Sequence, residues 1–217
     1  MKFSRGLSAR IAVAAAGSLV LAGAAGAAFA DEVGNDEVVV DVEISPLEEP
    51  GALSMTVAGA GTSLEEVASG DVEIRQFDGV LPTVTVTDTR AVEDVPEGVA
   101  WSVTGQASEF TGDAGQPSLP AGHLGWIPDL VNDSGSGEVI AGPEVETVLD
   151  EETDVPINPV GLEGQELLYS PFDSRALLET GETQWSANAA LFLKTPVDVE
   201  PGSYSSTLTL SLFEDVY

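Results

Sequence analysis

The chain of 217 residues has no cysteine, a single histidine and only seven lysine and arginine residues. Without cysteine neither a disulfide framework nor thiolate chemistry is available, so stability has to come from a buried core. The lone histidine, His123, is the only residue on which a Ser-His-Asp mechanism can turn, and no nucleophile-elbow sequence accompanies it. Against the few basic residues stand 37 acidic ones, for a formal net charge of −30. A field of that sign repels nucleic acid and anionic membranes and favours cations or basic partners. A glycosidase needs two carboxylates at a fixed separation, but among so many acids sequence spacing singles out no pair. These absences point away from an enzyme and away from nucleic-acid binding.

The one long apolar run lies at the start. Lys2, Arg5 and Arg10 precede an Ala/Val/Leu/Gly stretch over residues 11–28, which closes on Ala28-Phe29-Ala30. This is the pattern of a secretion signal peptide, residues 1–30, cut after Ala30. Its Gly and Ala content and the small-x-small triplet favour removal over retention as a membrane anchor. The exported remainder keeps four basic residues against all 37 acids, and no membrane insertion is expected after cleavage. No C-terminal apolar span, lipidation signal or LPxTG-type sorting sequence is present, so retention at a cell surface is expected to be noncovalent. Residues 31–37 read as an acidic, disordered N-terminus and residues 38–217 as a single domain.

Within that domain the dominant signal is a period of two. Val38, Val40, Val42 and Ile44 alternate with Val39, Asp41, Glu43 and Ser45, and Leu53, Met55 and Val57 form a second alternating face ended by Gly59 and Gly61. Ser63-Leu64-Glu65-Glu66 fits a capping box with Gly70 as a stop, and equally a strand or short turn between β-type segments. The best-specified stretch sets Val84 and Val86 against Thr83, Thr85 and Thr87, then places Val99, Trp101 and Val103 on one face of the next strand. Residues 111–171 sustain no pattern. They read as a long irregular excursion in which residues 122–131 form an ordered loop and residues 139–140 and 145–149 short edge strands. Asp173 or Ser174 caps a short helix through Arg175-Ala176-Leu177-Leu178-Glu179, with Gly181 past its end. Ala187, Ala189, Leu191 and Leu193 share a face of the strand that follows, and Tyr204, Leu208, Leu210 and Leu212 a face of the last. The fold class implied is all-β: an Ig-like antiparallel β-sandwich with long loops and at most one or two short helical turns. Val84, Val86, Trp101, Val103, Leu191, Leu208 and Leu210 are expected in its core.

Three stretches taken together resemble the WxL-domain surface proteins of Gram-positive bacteria. They are Thr83-Val84-Thr85-Val86-Thr87-Asp88-Thr89-Arg90, Trp101-Ser102-Val103 with Phe110-Thr111, and residues 202–212, Gly-Ser-Tyr-Ser-Ser-Thr-Leu-Thr-Leu-Ser-Leu. In that family a VTDxR strand precedes a first W-x-L motif, and a GxYxxTLTxxL strand carries the second. Here the first motif reads Trp101-Ser102-Val103 and the second Leu210-Ser211-Leu212, as in a divergent member. The resemblance implies noncovalent attachment to the cell wall, peptidoglycan binding and membership of surface complexes. It also makes Trp101, Val103, Leu210 and Leu212 the motif residues.

Beyond the motifs, Trp101 and Trp185 are either core residues or stacking surfaces for sugar rings, and the alternation at Trp101 favours the core. Trp126 and His123, in the Gly-flanked loop, are the candidates for a ligand-facing surface. The oxygen-rich groups around Asp133 and Glu138 and around Asp150 and Asp154 are candidate Ca²⁺ ligands. Neither has EF-hand spacing, and solvated acidic loops are the alternative. Asn132-Asp133-Ser134 is formally a glycosylation sequon and reads as coincidence in a bacterial-type sequence. No other cofactor and no catalytic residue is expected. The expected protein is an exported, non-enzymatic, wall-associated interaction protein. It is held by peptidoglycan or another surface protein, through residues 111–171 or an exposed edge strand. The alternative is a secreted carbohydrate-binding or calcium-dependent adhesion module.

Overall fold

Alternating β-branched and leucine residues build two antiparallel sheets, and their inward faces meet. The computed structural model describes residues 51–131, 138–150 and 160–216, all within one compact unit, residues 47–217. The signal peptide, the acidic stretch 31–37, the strand expected at residues 38–44, the sequon, Asp133 and Asp154 lie outside the described residues. In chain order the first six strands are β1 (Leu53–Val57), β2 (Glu65–Val67), β3 (Ile74–Val80), β4 (Val84–Asp88), β5 (Val99–Ala107) and β6 (Thr111–Gly112). They are followed by β7 (Leu124–Leu130), β8 (Val139–Ala141), β9 (Glu166–Pro171), β10 (Gln184–Pro196), β11 (Tyr204–Ser205) and β12 (Leu208–Val216). The helix α1 (Ser174–Glu179) stands between β9 and β10.

The 13-residue β10 is the spine of the first sheet. Along one of its edges β4 and β3 run end to end: Ala187 faces Val84 and Ala190 faces Val80. Between them the Leu81 N–H donates to the Ala189 carbonyl at 2.9 Å. Outside that interrupted ribbon lie β1, paired with β4, and β2, paired with β3. On the opposite edge of β10 lies β7, with Trp126 facing Leu191. The second sheet has the order β12-β5-β9-β8, and β6 and β11 form a separate two-stranded ladder. The architecture is an all-β antiparallel sandwich, as the alternation predicts.

The core lies between the sheets. Val84, Val86, Val99, Trp101, Val103, Trp185, Ala187, Ala189, Leu191 and Leu193 are buried, as the period of two requires. Trp101 of β5 meets Trp185 of β10 across the sandwich at 5.9 Å between ring centroids, and stands edge-on to Tyr169 of β9 at 5.2 Å. The Tyr169 hydroxyl crosses to the other sheet. It accepts from the Val86 N–H at 3.0 Å and lies 3.2 and 3.1 Å from the Val84 and Trp185 carbonyls. Burial pushes its phenol well above the ordinary range, so it stays a neutral donor.

The helix forms as expected, with the Asp173 carboxylate accepting from the Ala176 N–H at 2.7 Å and Gly181 just past the end at φ +82°. The buried Ser174 hydroxyl accepts from the Trp101 N–H at 3.0 Å and so pins α1 to β5. The ambiguous stretch at Ser63 resolves as strand β2, and Val72 is exposed ahead of β3.

Two expectations are corrected. Residues 124–130 are not loop but β7, paired with β10 over seven residues. Gly125 and Pro128 mask its alternation, and Pro is tolerated because β7 is the last full strand on that side of its sheet. The closing strand is split, because Tyr204 and Ser205 pair with Gly112 and Thr111 before β12 begins at Leu208.

Candidate binding cleft beside the last strand

On the side where β7 and β8 approach each other the sandwich is closed, and Val145 adds a bridge to Trp126. The opposite side brings the β1/β2 edge of one sheet and β12 of the other together, with no strand between them among the described residues. A cleft of about 910 Å³ opens there. Met55, Val57 and Phe77 form one wall, Leu208 and Leu210 the other, and Leu124, Leu191 and Leu193 the floor. Its mouth is bordered by small residues, Gly59, Ala60, Gly61 and Ser63, which leave the space a larger side chain would fill. The volume lies at the upper end of the range typical of ligand sites.

This geometry explains a departure in the core. Leu208 and Leu210 are only half-buried, although they alternate as core residues should, because the cleft lies on their inner side. Leu212, one motif residue further on, is half-buried as well and packs against the core. Trp101 and Val103, the other motif residues, are completely buried.

At the far end of β12 an ionic clasp closes the same side. Arg90, which follows β4, forks onto the buried Asp88 carboxylate at 2.9 and 2.7 Å. It also reaches Glu214 of β12 at 3.1 and 2.6 Å. The hydrogen bonds it donates to Asp88 and then to Glu214 raise the guanidinium above its ordinary range. The Thr-Asp-Thr-Arg end of one motif and the last strand are thereby tied together.

Electrostatically the cleft is quiet for so acidic a chain. Its charged lining side chains are Arg75 and Glu200. Arg75 is already bidentate to Glu66 at 2.8 and 2.9 Å, and it lies 5.2 Å from the Phe77 ring centre. That hydrogen bonding holds the Glu66 carboxyl below its usual range. The arrangement offers apolar contact, hydroxyls from Ser203, Ser205 and Thr207, and an edge of β12 that pairs with no strand among the described residues.

The residues singled out from sequence fall elsewhere. Trp126 is buried on β7 rather than ligand-facing, with its ring against Gly105: a Cβ there would come within 2.6 Å of the indole. His123 sits half-buried in a 3₁₀ turn, and its Nδ1–H donates to the Lys194 carbonyl at 2.7 Å. Trp185 is a core residue with 3% of its surface exposed, so it has no face for a sugar. Asp150 is a partner of Lys194 and accepts from the Thr147 N–H and hydroxyl at 2.8 and 2.9 Å, which occupies both oxygens. Burial works to raise the Asp150 carboxyl, and the Lys194 ammonium together with the Thr147 donors more than offsets it, for a net lowering. The Glu138 carbonyl accepts from the Phe172 N–H at the edge of β9, at 3.1 Å.

The cleft itself was not visible in the sequence. Its only local signs are the Gly59-Ala60-Gly61 run and the uncharged residues 208–213 of the closing strand. Compared with known proteins, the chain matches no family profile, no curated protein and no solved structure.

Proposed function

We propose that this chain is an exported, non-enzymatic interaction protein of the bacterial cell surface, held there noncovalently by a wall polymer or a surface partner protein. The observation that carries this reading is the open apolar cleft running along the outer edge of β12, which pairs with no further strand among the described residues. An edge left uncovered beside unfilled apolar surface is a site for association. The leader-like residues 1–30 and the resemblance of residues 83–90, 101–103 and 202–212 to WxL-domain proteins support the export and the wall association.

Cell fractionation tests it. Expressed in a Gram-positive host, the full chain is expected in the wall fraction, released by a concentrated-salt or urea wash without wall hydrolysis. A chain starting at Asp31 stays inside the cell. Recovery of the full chain from the cytoplasm, or release only by wall hydrolases, overturns the proposal.

A further inference from the structure

We propose that the cleft takes an extended, basic segment of a partner protein, which adds as a further strand to the outer edge of β12 and seats alternate apolar side chains among Met55, Val57, Phe77, Leu208 and Leu210. This rests on the surface-interaction reading and gives it a site and a partner chemistry.

The backbone of β12 comes first. Among the described residues its nine positions pair only with β5, in unbroken register from Leu208 opposite Ala107 to Val216 opposite Val99. Proteins blunt exposed edges with lysine, proline, bulges or short strands. Residues 208–213 of β12 carry none of these and no charge. Among the described residues nothing pairs with its outward N–H and C=O groups, the ones an incoming strand would use.

The cleft supplies the second half of the recognition. A strand added to an edge sends every other side chain to one face. Here that face is the space of about 910 Å³ beneath the half-buried Leu208 and Leu210. Backbone pairing provides affinity, and the cleft selects small or medium apolar residues at alternate positions.

Charge decides the partner. Past residue 30 the chain has four cationic side chains, and all four are paired within the fold: Arg75 with Glu66, Arg90 with Asp88 and Glu214, Arg175 with Glu97, and Lys194 with Asp150. What faces an approaching molecule is acid, including Glu200 in the cleft and the exposed Asp215 near the end of β12. A second copy, itself with 37 acidic residues against four basic ones past residue 30, is repelled, whereas lysines or arginines flanking an apolar alternation are drawn in.

The test uses the purified protein as recovered from cells and three synthetic peptides. The first alternates valine and threonine between paired lysines, the second replaces the lysines by glutamates, and the third scrambles the lysine peptide. Fluorescence anisotropy reads binding and amide hydrogen exchange reads its place. The lysine-flanked peptide is expected to bind saturably and at least ~10-fold more tightly than the other two, with affinity falling as salt rises. It is expected to slow exchange in β12. Leu210→Asp and Val57→Asp, both at partly exposed positions, each weaken binding by ~10-fold or more, whereas Ile140→Asp on the β8 edge leaves it unchanged. Absence of saturable binding, equal affinity for the glutamate-flanked peptide, or protection at another edge overturns the proposal. So does slow exchange of the outward β12 amides before any peptide is added, since the edge is then already covered by the chain itself or by a second copy. Because the assay needs no cells, its failure leaves the fractionation result standing, and the two readings fail separately.

Discussion

Tyr169 carries more of the inter-sheet geometry than its place in a short strand suggests. Its hydroxyl satisfies a backbone N–H of β4 and lies within bonding distance of carbonyls of β4 and β10, all buried. Removing one partner from a buried polar group costs the desolvation of what is left. Tyr169→Phe is therefore expected to lower the unfolding free energy by about 1–3 kcal/mol in denaturant titrations, with no change in sheet content. Asp150 yields a pH effect of definite sign. Its folded carboxyl titrates below the unfolded range, so the pairing with Lys194 and Thr147 contributes in full above that range. The contribution is lost as pH falls through the lowered folded value. The drop in stability between about pH 6 and about pH 3 should be smaller in Asp150→Asn than in the wild type.

Among the elements, the central strands were legible in the sequence and the edges were not. β4, β5 and β10 have one fully buried face, so period two at Val84/Val86, Val99/Trp101/Val103 and Ala187/Leu191/Leu193 maps directly onto the core. The helix start was legible to within one residue, Asp173 or Ser174, because side-chain capping is a local interaction, and Asp173 is the one that caps. β7 was missed because Gly125 and Pro128 are turn residues by composition and become strand residues only through pairing with β10. The cleft could not be read at all: alternation at Leu208, Leu210 and Leu212 reports a half-buried face but not whether another strand lies alongside. The Arg90 clasp escaped too, since Glu214 is one acid among many until the fold brings it within 2.6 Å. It sets an element-scale expectation. Arg90→Ala strands the buried Asp88 carboxylate and should cost about 3 kcal/mol, whereas Glu214→Gln, at the exposed arm, should cost less than about 1 kcal/mol. Equal losses from the two substitutions in thermal unfolding would place the energy in the β4–β12 tie rather than in the burial of Asp88.

At the scale of the whole molecule, internal pairing of all four cations past residue 30 leaves a large uncompensated negative charge on a small sandwich. Self-repulsion of that kind weakens the compact state and is screened by salt. The melting temperature is expected to rise as NaCl is raised from about 10 mM to about 300 mM, where the screening length drops below ~10 Å. A melting temperature that falls or stays flat over that range would mean that the ion pairs, which salt weakens, outweigh the repulsion.

The tryptophans give the molecule an optical property. All three are sealed in the core, two with no exposed surface and Trp185 with 3%. Their emission should be blue-shifted and nearly indifferent to iodide or acrylamide, and it should move to the red only when the sandwich opens. Intrinsic fluorescence thus reports the integrity of the fold, and a molecule entering the cleft has to carry its own label to be seen.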